Sequence, residues 1–269
     1  MSNTNRAKTD EQSAFDPTRR TALVTGVLYL ITFAASIPAV FLLAPILNDS
    51  RYVIGGGADM QIGLACVLDM INALAAIGTA VAVFSVVKRQ HEGFALGFVM
   101  TRMTEAAIIL IGVVSLLGLV SLRQEGVAAA DAGAAVVVGR TLVAVRDWTF
   151  LLGPVLMAAL NALMFGTLLY RARLVPRAIP ALGLIGAPVA ISFVIATVLG
   201  FTEQGSTLQG IASAPFFFWE LAVGLWMTFK GFNRSAPIVA AAIAESNNAT
   251  SSTTPARSSV ALATEGGAA

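Results

Sequence analysis

The stretch FVMTRMTEAAIILIGVVSLLGLVSL, residues 98–122, decides the fold. From Ala106 to Leu122 it carries no charge, and about 20 apolar residues suffice for a helix to cross the hydrocarbon core of a bilayer. Its start is different, because Arg102 and Glu105 stand three apart, the spacing that puts two side chains on one helical face. A charge at the bilayer centre costs at least about 2.5–3.5 kcal/mol on insertion scales. The run therefore reads as a membrane-spanning helix whose charged face is turned toward other helices rather than toward lipid.

Working outward with a window of about 19 residues, the same reading recurs along the chain. Six apolar segments emerge, at residues 21–47, 62–87, 95–122, 141–169, 179–201 and 211–230. Of the 269 residues, 57% are hydrophobic and 12% charged, against roughly a quarter charged in a soluble domain. The expected fold class is all-α, an integral membrane bundle of six transmembrane helices. Residues 1–20 are expected to form a cytoplasmic N-terminal tail, 21–230 the membrane domain, and 231–269 a disordered cytoplasmic C-terminal tail, low in complexity and polar to small.

Several function classes fall away on composition. A formal charge of +2, with no basic run interleaved with aromatics, gives no footprint for nucleic acid. Cys66 is the sole cysteine and His91 the sole histidine, so neither an intramolecular disulfide nor a Cys/His metal site can form within the chain. No cofactor is expected: the Gly55–Gly57 run lacks the lysine and the strand-to-helix context of a phosphate loop. A serine-nucleophile protease would need a base, and His91 lies in a short turn outside the spans. Asp69 and Asp147 lie at depths that would allow a shared proton, but no glycine-flanked aspartate motif accompanies them.

Lysines and arginines are distributed unequally between the two sides of the six-span arrangement. Arg6, Lys8, Arg19 and Arg20, then Lys88 and Arg89, then Arg171, Arg173 and Arg177, then Lys230, Arg234 and Arg257 fall on one side; Arg51, Arg123 and Arg140 fall on the other. The positive-inside rule then places both termini in the cytoplasm. Arg102 and Arg146 remain within the spans.

The runs NALAAIGTAVAVFSVVKRQHEGFALGF, TRMTEAAIILIGVVSLLGLVSL, LVAVRDWTFLLGPVLMAALNALMFGTLLYRARLVPRAIPALGLIGA and WELAVGLWMTFKGF resemble an uncharacterised family of bacterial multi-pass membrane proteins, the domain of unknown function DUF4386. The resemblance runs from about Arg19 to Phe232, and the blocks Arg146–Pro154 and Tyr170–Arg177 are its most specific parts. It implies a bacterial cytoplasmic membrane protein and supplies no catalytic residues.

The buried polar residues form the candidate site: Asp69, Asn72, Arg102, Glu105, Arg146, Asp147, Asn161 and Glu220. Counting along the spans, Asp69 is about 16 Å in depth from Arg102, so Arg102 is expected to pair with Glu105. Asp69, Arg146, Asp147 and Glu220 are expected to form a separate cluster toward the outer face. With two bases and four acids, two acids must be protonated, hydrated, hydrogen-bonded while neutral or matched by a bound cation. Two functional readings follow: a proton or cation path across the bundle, or interhelical glue in a non-transporting structural, accessory or sensor membrane protein. The first predicts a wet cavity near Glu105 and Glu220; the second predicts a dry bundle.

Overall fold

The structure is a computed structural model that describes residues 17–47, 52–55, 58–126 and 131–252. Six helices are long and apolar enough to cross a membrane. They are α1 (Pro17–Leu47), α2 (Asp59–Val87), α3 (Glu92–Gln124), α4 (Ala132–Ala172), α5 (Ala178–Val198) and α6 (Thr207–Phe229), with a 3₁₀ turn at Tyr52–Ile54 and a following helix α7 (Pro237–Ser252). Among the described residues there is no strand.

Each spanning helix packs on its neighbours in sequence, and α6 returns to pack on α1, closing the six into a ring. The end bearing the start of α1 and the end of α6 is the tail end; the opposite, far end carries the Tyr52–Ile54 turn and the α5–α6 loop. Lipid gives helices no hydrophobic reason to associate, so close approach depends on small residues and polar contacts. At the tail end α1 and α6 meet at Gly26 and Gly224, where a Cβ on Gly26 would lie 2.5 Å from the Thr228 backbone nitrogen. Arg19 adds a bond there, donating to the Thr228 carbonyl at 2.9 Å. The turn after α6 is pinned to the α4–α5 turn by the Asn233 amide, which donates to the Leu174 carbonyl at 2.8 Å.

α4 is longer than hydropathy suggests. It starts at Ala132, nine residues before the expected boundary, because the Asp131 carboxylate accepts from the Ala134 amide at 2.9 Å and caps the helix. Its middle, Leu151–Met157, is wound as a π-helix around Pro154. Proline lacks the amide hydrogen and crowds the preceding turn, and widening the helix is one way to accommodate it.

Two main apolar clusters fill the ring, with a third, small one of Ala73, Ala106 and Ile109 between α2 and α3. The larger includes Tyr29, Phe98, Phe165, Leu169, Trp219 and Met227; the smaller, nearer the far end, includes Leu43, Tyr52, Ile62, Leu116 and Leu119. Of the aromatics Phe216–Trp219, Phe217 and Phe218 face outward, Phe216 is nearly buried and Trp219 is fully buried. Its indole lies over Gly183 of α5, where an added Cβ would fall 2.5 Å from the ring. Within the C-terminal tail that begins at residue 231, α7 forms, and Ala236 and Val239 pack into the larger cluster. The remainder of that tail, the N-terminal residues before 17, and Gly56 and Gly57 of the glycine run lie outside the described residues.

Candidate functional site

Between the tight tail-end contact of α1 with α6 and the far end, the ring opens into a cavity of about 590 Å³. α1 lines it with Thr32, Phe33, Ser36, Ile37, Val40 and Phe41, and α6 with Gln209, Ser213, Phe216, Phe217 and Glu220. Asp69 and Asn72 on α2, Arg102 and Glu105 on α3, and Arg146 and Phe150 on α4 complete its wall. Gly205 and Gly210, at the far-end mouth, are exposed. Ile37, Val40 and Phe41 also face outward, Phe41 at 74% exposure, so the cavity opens sideways between α1 and α6 as well.

The polar wall is built around Arg102, which is 2% exposed. Its Nη1 donates to Glu105 Oε2 at 3.0 Å and its Nη2 to Glu220 Oε1 at 2.6 Å. The guanidinium lies 4.9 Å from the centre of the Tyr29 ring and 5.7 Å from that of Phe98, a cation–π setting in which aromatic faces offset part of its lost hydration. Phe98 is one turn before Arg102 on the same helix, and it stacks on Phe165 at 4.6 Å. Glu105 Oε2 also accepts from Asn161 Nδ2 at 2.6 Å, and Asn161 Oδ1 accepts in turn from the Thr101 hydroxyl. The network thus joins α3, α4 and α6.

A second pair stands beside it. Arg146 Nη2 donates to Asp69 Oδ2 at 2.9 Å, joining α4 to α2, with the Phe150 ring 5.5 Å from the guanidinium. Asn72, one turn from Asp69, faces the same cavity. Asp147 is half-buried and lines an adjoining cavity of about 280 Å³, which shares Val40, Arg146, Phe150, Gly205 and Gln209 with the first.

Seven of the eight residues singled out from the sequence therefore meet in one network or face one cavity, and Asp147 faces the next. The expected division of the charges is corrected in one respect: Glu220 belongs with Arg102 and Glu105. Depth explains why. Glu220 is nine residues from the tail end of α6 and Arg102 ten from the tail end of α3, so the two are level there. At the far end α3, with 33 residues, outruns α6, with 23, and depths counted from that end mislead.

Sequence reasoning missed Tyr29 and Phe98 as partners of Arg102. A Phe four residues before the arginine was the available signal; nothing local pointed to Tyr29. Also missed was a polar cluster at the far end, where Arg123 Nε donates to Asp59 Oδ1 at 2.7 Å and the Tyr52 hydroxyl donates to the same oxygen at 2.5 Å. Burial, and then the carboxylate beside it, push the Tyr52 phenol up to about 12. No group of three or more His, Cys, Asp and Glu side chains suited to a metal occurs among the described residues.

Neither the comparison with curated proteins nor that with solved structures found a match. A family model does match, over residues 24–231, a span that runs from within α1 to the turn after α6. The chain thus belongs to the family described as "Domain of unknown function (DUF4386)".

Proposed function

We propose that the protein transports a solute across the bacterial cytoplasmic membrane, with both termini inside, and that a proton or small cation on the Glu105–Glu220 pair drives or accompanies the movement. The observation that carries this reading is the charge balance beside the cavity. Arg102 is shared by two carboxylates, so one of them needs a proton, a cation or water. The cavity brings that unmatched charge within reach of the far end. Neutralising Glu220 would weaken its contact with Arg102 and loosen α6 from α3, and α1 and α6 would then be free to pivot about the Gly26–Gly224 contact. Alternating access requires this kind of motion of one helix set against another.

A second reading is favoured by the same ion pairs, since Arg102–Glu220 and Arg146–Asp69 each join different helices and could serve as glue. Proton flux into proteoliposomes separates the two. Transport predicts a wild-type flux above empty liposomes that falls about tenfold or more, equivalent to 1.4 kcal/mol, in Glu220→Gln and Glu105→Gln proteins of matched folded amount. Absence of flux, with variants that are merely less stable, would leave glue as the role of these charges.

A further inference from the structure

Five ionisable side chains line the larger cavity: Asp69, Glu105 and Glu220 against Arg102 and Arg146. In their ionised forms they sum to one net negative charge, and in a low-dielectric site an unmatched charge is expensive. One proton neutralises the wall. One organic monocation would do the same, whereas an anion or a dication would leave it charged.

The rest of the wall says what such a cation would look like. Phe33, Phe41, Phe150, Phe216 and Phe217 all line the cavity, and aromatic faces attract cations stripped of water. At about 590 Å³ it lies within the range of roughly 300–1,000 Å³ typical of sites for drug-sized molecules. A bare metal cation would leave most of it unfilled. Ile37, Val40 and Phe41 open the side wall at the surface of the spanning region, so an apolar body can enter from lipid. Arg102 Nε and Arg146 Nε, on residues 2% and 5% exposed, have no hydrogen-bond partner among the described residues.

We propose that the cavity binds a lipophilic organic monocation, which enters between α1 and α6 and exchanges one-for-one with the proton of the Glu105–Glu220 pair. The proposal rests on the transport reading above and names the class of its solute. Charge is conserved in the exchange, because one positive charge arrives as one proton departs to water. The titratable and charged groups around the pair are Arg102 on α3, Tyr29 on α1 and, along the cavity, Asp69 on α2 and Arg146 on α4; α5 contains no charged residue.

The test uses the purified full chain in detergent, weakly buffered, with tetraphenylphosphonium as probe and tetraphenylborate as its anionic counterpart of the same shape. Calorimetric titration should show tetraphenylphosphonium binding with close to one proton released per cation. Its apparent affinity should weaken by about tenfold per pH unit at the acid limit, as one-for-one linkage requires. Proton release should vanish in Glu220→Gln, with Glu105→Gln as a second variant should the first fail to fold, and tetraphenylborate should not bind. Binding without proton release, or equal binding of the anion, would overturn the proposal. Proton flux in proteoliposomes without tetraphenylphosphonium binding would reject the solute class and leave the transport reading standing. Proton-releasing binding without flux would support the ligand class and reject transport.

Discussion

Arg102 Nη2 lies 2.6 Å from Glu220 Oε1, so residues 118 apart in the chain meet across the ring, α3 against α6. Because the same guanidinium also holds Glu105, its removal strands two carboxylates at once. Arg102→Gln should cost about 3–5 kcal/mol, the range for breaking a buried pair. Arg102→Lys should recover only part of this, since an ammonium lacks the planar fork that reaches both acids. Unfolding in detergent measures both, and a lysine variant as stable as wild type would show that the fork is not used.

Asp69 and Arg146 make a simpler pair, and a double-mutant cycle reads it directly. Asp69→Asn and Arg146→Gln should each destabilise the bundle. The double variant should lose less than the sum by about 0.5–3 kcal/mol, the range for groups in contact. Additivity would mean that the 2.9 Å contact contributes no coupling.

Glycines offer a comparison free of charge. Gly26→Ala would drive a Cβ to 2.5 Å from the Thr228 backbone nitrogen, and backbone cannot swing aside as a side chain can. Overpacking of this kind costs about 1–3 kcal/mol. Gly63, on α2, has nothing within 4 Å of a new Cβ, and Gly63→Ala should stabilise by up to about 1 kcal/mol through helix propensity. Thermal unfolding of the two variants should move in opposite directions; a shared direction would contradict the α1–α6 contact.

Tyr52 reports on the far end. Its phenol, pushed up to about 12, favours the protonated form in the folded protein. The associated stability is present in full below the ordinary phenol value of 10.0 and is lost as pH rises through about 12. Asp59→Asn should bring the Tyr52 titration part of the way back toward 10.0, because burial, the larger cause, remains. Ultraviolet titration against a Tyr52→Phe reference would show it, and an unmoved titration would contradict the Tyr52–Asp59 bond.

How much of this was legible beforehand depended on the kind of signal. The six spans follow from uninterrupted apolar length, a property of the chain alone. The Arg102–Glu105 pair follows from their spacing on one helix. The start of α4 was hidden because its first turns, rich in alanine and glycine with Arg140 among them, lower a hydropathy average that takes no account of the Asp131 cap. Glu220 was misplaced because its depth was counted from a far end where the helices differ in length. The cavity was beyond reach, since it arises from α1 and α6 meeting tightly at Gly26 and splaying toward Gly205, a relation between helices that no single segment encodes.

Water is expected to reach the middle of the bundle along the cavity between α1 and α6. Ser36 lines that cavity, eleven residues from the far end of α1, whereas Leu74 of α2 is 68% exposed on the surface of a spanning helix, where lipid would cover it. In a Cys66→Ala background, which removes the one native cysteine, single cysteines at these two positions would be treated in membranes with a charged, membrane-impermeant thiol reagent. Ser36→Cys is expected to react from the far-end side, and Leu74→Cys is not. A folded Ser36→Cys protein as inert as Leu74→Cys from both sides would contradict it.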